Sequence, residues 1–419
     1  MGVKNLKKFI REKYPNEIQK LNLSDFYGQM IMMDIMSYIY KFKVTMREKW
    51  LQSIIVLIKL FKSNNVHVNI VFEGESPKEK NKEKEQRRQQ RKQQEQKILN
   101  IKNDINEYNQ NGNISELLKE TYKKINQTDT TKINRLLHFN NDKNVNYEIT
   151  TLDYKMLQQI EEYIDKKENQ LVVITEQDIN KIKEICDTFG VPYFQSENEA
   201  ETLCCQMCMN VKDQSNNNLK QPIAVISEDS DVLAYGANML ICDLNISNGE
   251  CNVIYLPSLL KTMEFTYKEF LDFCILSGTD YNTNIPGIGS VKCLELLNKY
   301  KSIENIFTNE EKLIEKKIND TIRKKINNNT INTDCVLDDK ITHDENKENE
   351  IDTNITVTKL YNDMKRSSEM FGLIDKSINK SQYWNTNIDL DKICECCLKY
   401  NIDFNSIEKL WTNNIKLVK

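Results

Sequence analysis

Two pairs of acidic residues, separated by a short helix and a strand, constrain the fold more than any other feature of the sequence. The pairs are Glu199 with Glu201 and Asp229 with Asp231. Residues 223–226, just before the second pair, form a short apolar run rich in β-branched side chains, which predicts a buried strand. Acids that follow such a strand lie at its carboxyl end, where open α/β sheets place their ligands. The stretch therefore predicts an α/β fold with an acidic site at one edge of its sheet.

Several carboxylates that meet at one edge of a sheet need a partner of opposite charge. Without one they repel one another, and each raises the pKa of its neighbours. Carboxylate oxygens are hard ligands that favour Mg²⁺ or Mn²⁺, so the two pairs indicate a metal site. The alternative is that Asp229 caps a helix and the other acids are solvated. This stretch alone gives the two interpretations equal weight.

A strand that ends at an acidic residue occurs twice more in the chain. Residues 30–34 predict a buried strand that ends at Asp34, and residues 66–72 predict a second strand that is followed by Glu73. Because three such strands occur in one chain, we expect their acids to share one metal site. The three histidines lie outside the acid-rich motifs, which disfavours His-based catalysis and a His-rich zinc site.

The composition limits the remaining possibilities. The net charge of −4 gives no global attraction for nucleic acid, so any such binding must use local patches. No uncharged apolar run reaches the length of about 18 residues that a membrane span needs. The chain contains twelve cysteines, and its N-terminus has no segment that resembles a signal peptide. We therefore expect the cysteines to be reduced thiols inside the cell. The Cys-x-x-Cys spacing of Cys205 and Cys208 is more typical here of core thiols than of a zinc site.

Residues 78–97 form a polar run with a local excess of positive charge. The run contains nine Lys or Arg residues against four Glu and no apolar residue, so it cannot pack as a core helix. Several of its cationic positions share one face at helical spacing: Lys80, Lys84, Arg87, Arg88 and Arg91. Such a face suits contact with phosphates. For the run by itself, a solvated charged helix is the favoured alternative.

A second candidate for phosphate binding lies near residue 290. Gly287 and Gly289 form a tight turn before a predicted helix, which exposes backbone N–H groups to an anion. Farther along, residues 308–356 are polar, charged and poor in aromatic residues, which indicates a linker or a disordered insertion.

Taken together, these motifs resemble those of the flap endonucleases, a family of structure-specific 5′-nucleases. The resemblance covers residues 1–97 and 176–300. Its motifs, in family order, are Met1–Leu6, Asp34 with Ser37 and Tyr40, Val71–Gly74, Lys80 with Arg87 and Arg91, Glu199–Glu201, Asp229–Asp231, Ser277–Tyr281 and Pro286–Lys292. The resemblance implies an α/β fold whose central, mostly parallel sheet is flanked by helices. It also implies a helical arch insertion and a helix-turn-helix element that grips DNA.

On this resemblance the chain divides into five regions. Residues 1–97 form an N-terminal nuclease region with the start of the arch, and residues 98–175 form the arch or insertion. Residues 176–307 form an internal nuclease region with a helix-hairpin-helix element. Residues 308–356 are the linker, and residues 357–419 are a C-terminal helical segment that packs on the nuclease core.

The resemblance also implies roles for individual residues. The ligands of two Mg²⁺ ions, for which Mn²⁺ can substitute, are Asp34, Glu73, Glu199, Glu201, Asp229, Asp231 and Asp280. The catalytic residues that act on the scissile phosphate are Lys80 and Arg87. The DNA contacts are Gly2, Tyr40, Arg47, Arg91, Gly287, Gly289 and Lys292. Among them, Tyr40 stacks on a base and the glycine turn holds the duplex by its backbone.

The activity that follows from the resemblance is Mg²⁺-dependent phosphodiester hydrolysis at 5′ flaps, by endonuclease and 5′-to-3′ exonuclease cutting, in DNA replication, repair or recombination. The implied partner is branched or flapped double-stranded DNA, with no role at a membrane. We expect a monomer inside the cell, in the nucleus or, for a viral member, in a cytoplasmic virus factory.

Three features depart from the family pattern. Position 73 is Glu where the family usually has Asp, the segment between the basic run and residue 176 is longer than typical, and the C-terminus lacks the glutamine–aliphatic–aromatic-pair box that binds the sliding clamp. These departures point to a divergent member, from a large DNA virus or a parasite. They leave three alternatives: a catalytically weak DNA-junction-binding protein of the same fold, a related metal-dependent ribonuclease, and a scaffold in a replication complex.

Overall fold

The computed structural model describes most of the chain, and its described part forms two compact units. The described residues are 3–125, 154–209, 221–333, 356–373, 384 and 389–403, without the side chains of residues 82 and 324–333. The first unit comprises Met1–Tyr38, Ile54–Lys80 and Ile179–Lys419, and the second comprises Ile39–Ser53 and Asn81–Asp178. Gly2 and parts of the predicted arch, linker and C-terminal segment lie outside the described residues.

The first unit is built around a seven-stranded sheet with the strand order β1-β7-β6-β5-β2-β3-β4. The strands are β1 (Ile18–Asn22), β2 (Met30–Asp34), β3 (His67–Phe72), β4 (Tyr193–Gln195), β5 (Ala224–Ile226), β6 (Met239–Cys242) and β7 (Glu250–Tyr255). Strands β6, β5, β2, β3 and β4 pair in parallel, whereas β7 is antiparallel to both β6 and β1. This mostly parallel sheet confirms the predicted α/β fold.

The central strands are buried because their sequences are apolar on both faces. Every residue of β2 and of β5 is buried, and β3 is buried from Val68 onward. Parallel sheets covered by helices require such continuous apolar runs. The sequence patterns therefore located these strands to within one or two residues. Strand β4 is too short, and edge strand β1 too polar, to give the same signal.

The register of the central strands sets the level at which their carboxyl ends meet. Asp34 of β2 pairs with Val71 of β3, and Met33 pairs with Ile226 of β5. The chain therefore leaves β3 and β5 within two residues of the level of Asp34. The acids that follow the three strands are brought to one edge of the sheet, as the sequence predicts.

Helices pack around the sheet and form the rest of the first unit. They are α1 (Leu6–Lys13), α7 (Glu176–Phe189), α8 (Ala200–Met209), α9 (Asp231–Ala234), α10 (Leu256–Met263), α11 (Tyr267–Ser277), α12 (Ser290–Tyr300), α13 (Ile303–Asn309), α14 (Glu311–Thr333), α15 (Val357–Phe371) and α16 (Leu390–Lys399). Helices α2 (Met36–Met46) and α3 (Trp50–Ser63) each contain a boundary between the two units, and so does α7, whose residues up to Asp178 belong to the second unit. No helix within the described ranges is both long and apolar enough to cross a membrane.

Helix α14 corrects the prediction that residues from 308 onward form a linker. Its Ile314 and Ile318 are buried in the main core, next to Ile306 and Phe307 of α13. The two isoleucines lie four residues apart, on one face of a helix that is otherwise charged. The polar composition therefore concealed an amphipathic helix. Residues 334–355 of the predicted linker lie outside the described residues.

The second unit is helical in its described part. Its helices include α4 (Asn81–Asn111), α5 (residues 116–125) and α6 (Tyr154–Asn169). Its small core consists of Ile98, Ile101, Ile105, Leu118, Ile160 and Ile164. The basic run forms the first half of α4, and none of the side chains described there is buried. From Asn81 onward the run is therefore helical, as predicted, and most of its charged side chains face solvent, whereas Lys80 lies before this helix.

Candidate active site

Asp34 is the buried end of the central strand, and its carboxylate is held by two hydrogen bonds. The backbone N–H of Met36 donates to Oδ1 at 2.9 Å, and the Ser227 hydroxyl donates to Oδ2 at 3.1 Å. Burial raises the pKa of Asp34 to about 7, although these two hydrogen bonds oppose the rise. The charges of Asp229 and Glu73 raise it further, which places both acids near Asp34. A cation at this position would restore the ionised form.

Glu73 follows β3 in a loop whose backbone is fixed by its neighbours. The N–H of Gly74 donates to the carbonyl of Asn198 at 2.7 Å, and the side chain of Gln195 donates to the carbonyl of Glu73 at 2.6 Å. A Cβ at Gly74 would lie 2.1 Å from the carbonyl oxygen of Ser196, so only glycine permits this approach. The side chain of Glu73 accepts a hydrogen bond from Ser76 at 3.3 Å. The loop therefore holds Glu73 at a set distance from the sheet edge.

Glu199 and Glu201 lie at the start of α8, where a serine shapes the turn. The Ser196 hydroxyl donates to the carbonyl of Glu199 at 2.9 Å and accepts from the N–H of Asn198 at 3.2 Å. Burial raises the pKa of Glu201 well above its usual range, and the charges of Asp34 and other nearby acids raise it further. Both glutamates thus belong to the acidic site at the carboxyl edge of the sheet.

Asp229 and Asp231 follow β5 in a turn that leads into α9. The side chain of Asp229 closes this turn, because its Oδ1 accepts from the N–H of Asp231 at 3.0 Å. Burial raises the pKa of Asp229 and, to a larger extent, that of Asp231. Oδ1 of Asp231 is buried and has no hydrogen-bond partner among the described residues. The alternative interpretation of the sequence is therefore wrong: the N-cap of α9 is Ser230, without a side-chain cap hydrogen bond, and Asp231 is buried rather than solvated.

Asp280 reaches the same site from the turn after α11. Gly278 ends that helix with φ of 101°, and a Cβ there would lie 1.9 Å from Oδ1 of Asn284. The N-terminal segment joins the two loops, since the N–H of Lys4 donates to the carbonyl of Gly278 and the Ser230 hydroxyl donates to the carbonyl of Val3. This segment therefore helps to hold the loop of Asp280 next to the loop of Asp229.

Lys80 is ion-paired with two of these acids. Its Nζ lies 2.5 Å from Oε1 of Glu199 and 3.7 Å from Oδ2 of Asp280, and its side chain is 16% exposed. Burial by itself would lower the pKa of Lys80, but the charges of Glu199 and other acids outweigh it and raise the pKa. Lys80 is therefore a largely buried ammonium group at the edge where the acids meet.

The seven predicted ligands, together with Lys80, form what we call the acid cluster. Mutual effects on the pKa values link Asp34 to Glu73, Asp229 and Glu201, and link Asp231 to Asp280 and Glu199. The donor chemistry suits a hard divalent cation, because every donor is a carboxylate oxygen and one of them, on Asp231, is buried without a partner. As they stand, no three Asp, Glu, His or Cys side chains within the described ranges are arranged to hold one ion. Uncompensated carboxylates repel one another, so ion binding would draw them closer.

Four of the predicted residues lie in the second unit: Tyr40, Arg47, Arg87 and Arg91. The hydroxyl of Tyr40 donates to the carbonyl of Gln170 at 3.0 Å, and Arg47 is ion-paired with Asp165. Arg87 is ion-paired with Glu83 on its own helix. These contacts are local to the second unit, so the roles of the four residues stay predictions.

The predicted DNA-gripping turn lies before α12. Gly287 has φ of 69°, and Gly289 is the N-cap of α12. A Cβ at Gly289 would meet no described atom within 4 Å, so there is space for a ligand to approach the backbone at this position. Lys292 is ion-paired with Glu295 at 2.6 Å. The DNA contacts of this turn stay predictions, as does that of Gly2, which lies outside the described residues.

Sequence reasoning missed two tyrosines that contact the acid cluster. The hydroxyls of Tyr235 and Tyr281 both donate to Oε2 of Glu199, and they lie 2.5 Å from each other. Tyr281 directly follows Asp280, so its motif position was a usable signal. Tyr235 follows a short apolar run and gives no such signal.

Comparisons with known proteins match the segments that carry these residues. Two family models match the chain, the XPG N-terminal domain over residues 1–95 and the XPG I-region over residues 190–280. A probable RAD2-like endonuclease of Invertebrate iridescent virus 3 is 30% identical over 328 residues, which cover 73% of this chain and 81% of that protein. A flap endonuclease 1 of Aedes aegypti is 36% identical over 153 residues, which cover 36% of this chain and 38% of that protein.

A solved structure supports the fold. The catalytic core of Rad2 in complex with DNA substrate has a TM-score of 0.55 at 15% identity and covers 99% of this chain and 100% of that chain. The family models lie over the segments that carry the acid cluster, and the viral relative extends the match well beyond them. The chain therefore belongs to the RAD2-like, XPG-domain nucleases as a divergent member of the flap endonuclease family.

Proposed function

We propose that the protein is a structure-specific nuclease that hydrolyses phosphodiester bonds at 5′ flaps in DNA and depends on a divalent metal, in nature Mg²⁺. The observation that carries this proposal is the acid cluster, in which seven carboxylates and one largely buried ammonium group share the carboxyl edge of a parallel sheet. The names of the relatives, a RAD2-like endonuclease and a flap endonuclease, support the same activity.

The acid cluster supplies what phosphodiester hydrolysis needs from the protein. Two divalent ions held there would provide an activated water and would stabilise the charge on the leaving oxygen. Asp34 and Asp231 are buried, so little water competes with a bound ion for them, and the low local dielectric strengthens their attraction for a cation. The ammonium of Lys80 would donate to a non-bridging oxygen of the scissile phosphate, where it offsets the developing negative charge.

Recognition of flap structure would come from groups outside the acid cluster. The exposed basic face of α4, with Arg87 and Arg91, offers phosphate contacts that carry no sequence information. The ring of Tyr40 is 39% exposed and offers a stacking surface for an unpaired base. The turn that contains Gly287 and Gly289 would hold the duplex through its backbone N–H groups.

The comparisons do not favour the alternatives of a DNA-junction-binding protein or a related ribonuclease. We propose roles in DNA replication, repair or recombination, as both endonuclease and 5′-to-3′ exonuclease. We further propose that the protein acts as a monomer in the nucleus or in a cytoplasmic virus factory.

The test is cleavage of a fluorescently labelled 5′-flap DNA by the purified full-length protein under single-turnover conditions. We expect cutting near the flap junction with Mg²⁺ or Mn²⁺ and none with EDTA. A 3′-flap DNA and an RNA flap of the same sequence serve as matched substrates, and both should be cut at least tenfold more slowly. Binding of the 5′ flap without cleavage would instead support the junction-binding protein, and preferential cleavage of the RNA flap would support the ribonuclease.

A further inference from the structure

Both carboxylate oxygens of Glu199 are engaged by side chains of the protein, one by an ammonium group and the other by hydroxyl groups. Its Oε1 accepts from the Lys80 ammonium at 2.5 Å. Its Oε2 accepts from the hydroxyls of Tyr281 and Tyr235, the latter at 3.2 Å. By contrast, Oδ1 of Asp231 is buried without a hydrogen-bond partner among the described residues. Glu199 is therefore occupied by the protein itself, whereas Asp231 retains a free oxygen for a ligand.

The two tyrosines lie side by side in a buried position behind Glu199, and their hydroxyl oxygens are 2.5 Å apart. Tyr235 and Tyr281 are 5% and 7% exposed, so water cannot readily replace their hydroxyls. Tyr281 also contacts Lys80 directly, because the lysine Nζ lies 5.1 Å from the centre of its ring. A cation over an aromatic face is attracted to it. Tyr281 thus touches both partners of the Lys80–Glu199 ion pair.

Helix α15 fixes the tyrosine rings and the loops on either side of them. Phe371 packs edge-on against both rings, with centroid distances of 4.8 Å to Tyr235 and 5.5 Å to Tyr281. Two further contacts of α15 reach neighbours of the acid cluster. The Ser367 hydroxyl lies 3.0 Å from that of Thr279, and Arg366 donates to Glu79 at 2.8 Å.

We propose that Tyr281, supported by Tyr235, is a positioning residue that holds Glu199 as the partner of Lys80 and so fixes where the ammonium meets the scissile phosphate. The inference rests on the proposed function, because it concerns a step of that reaction. It assigns Glu199 to the placement of the lysine, whereas the other acids of the cluster hold the ions. Loss of the Tyr281 hydroxyl should therefore affect the chemical step through Lys80 and leave ion binding unchanged.

The experiment is a double-mutant cycle with Tyr281→Phe and Lys80→Ala in the full-length protein. Each single variant and the double variant are measured for the single-turnover rate on the 5′ flap and for the flap Kd in Ca²⁺. Calorimetric titration with Mn²⁺ in the absence of DNA measures ion affinity independently of cleavage. Tyr267→Phe is the matched control, since its hydroxyl donates to the carbonyl of Ala234 and not to an acid.

We expect Tyr281→Phe to lower the single-turnover rate by about tenfold, the usual effect of removing one hydrogen bond to a charged group. In the Lys80→Ala background the same substitution should change the rate by less than about twofold, because coupled residues are not additive. Flap Kd and Mn²⁺ affinity should stay within about twofold of wild type, and Tyr267→Phe should cleave at the wild-type rate. Tyr235→Phe should show a smaller loss with the same dependence on Lys80.

Two results would overturn the inference. The first is a tenfold loss from Tyr281→Phe that persists in the Lys80→Ala background. The second is weaker Mn²⁺ binding by Tyr281→Phe, which would mean that the tyrosine places Glu199 as an ion ligand. The Mn²⁺ titration tests the inference even when the wild-type protein does not cut a flap. Absence of wild-type cleavage would count against the proposed function alone.

Discussion

Shortening Glu73 by one methylene tests how strictly the structure places the acid cluster. In Glu73→Asp the carboxylate moves back toward the backbone by about 1.5 Å, whereas ligand distances to a bound ion vary by only about 0.2 Å. The backbone cannot follow the ion, because hydrogen bonds of Gly74 and Gln195 fix the loop, and Gly74 packs so closely on Ser196 that a Cβ at Gly74 would lie 2.1 Å from the Ser196 carbonyl oxygen. The hydrogen bond from Ser76 is lost as well.

We therefore expect Glu73→Asp to weaken Mg²⁺ binding by about ten- to a hundredfold, the range found when groups around a metal site are altered. The assay is single-turnover flap cleavage across a Mg²⁺ titration. The matched control is Glu75→Asp, which removes a methylene from an exposed acid of the same loop and should behave as wild type. A Glu73→Asp protein that is faster and needs less Mg²⁺ would refute this reasoning and would indicate that Glu73 weakens the site.

Three further predictions follow from the site and its surroundings. Asp229→Ala or Asp280→Ala should abolish cleavage and keep flap binding in Ca²⁺, as measured by single-turnover kinetics and fluorescence anisotropy; wild-type turnover would exclude them as ligands. Lys80→Ala and Arg87→Ala should slow the single-turnover rate more than they raise the flap Kd, whereas a loss of affinity alone would make them simple backbone contacts. Burial raises the pKa of Asp272 to about 6, so ionisation costs the folded state at most about 3 kcal/mol as pH rises from 4 to 7. In urea unfolding, Asp272→Asn should thus raise the free energy of unfolding at pH 7.5 and leave it unchanged at pH 4. An equal effect at both pH values would refute the raised pKa of Asp272.

The acidic edge was predictable because each of its signals is local in the sequence. Asp34, Glu73 and Asp229 each follow an apolar run with the length and composition of a buried strand. A parallel sheet then brings the carboxyl ends of such strands together without further information. The basic helix and the turn before α12 were equally local, so the sequence placed them correctly as elements.

The contacts around Glu199 were not predictable, since they join residues far apart in the chain. Tyr281 lies 82 positions after Glu199, and Phe371 of α15 comes from beyond the predicted linker. A hydrogen bond of this kind depends on tertiary packing and leaves no periodic pattern. The burial of Ile314 in α14 was hidden for a related reason, because two apolar positions in a charged helix form only a weak pattern.

The most direct test of the account is Mg²⁺-dependent cleavage of a 5′ flap by Asp231→Asn. This substitution changes the one acid whose buried oxygen has no protein partner in the described structure, and it keeps the size of the side chain. The exposed Glu395→Gln on α16 is the matched control. The account predicts that Asp231→Asn folds, binds the flap in Ca²⁺ and loses cleavage at least a hundredfold at every Mg²⁺ concentration, while Glu395→Gln cleaves as wild type. Cleavage by Asp231→Asn at the wild-type rate would contradict the claim that the acid cluster is the metal-dependent active site.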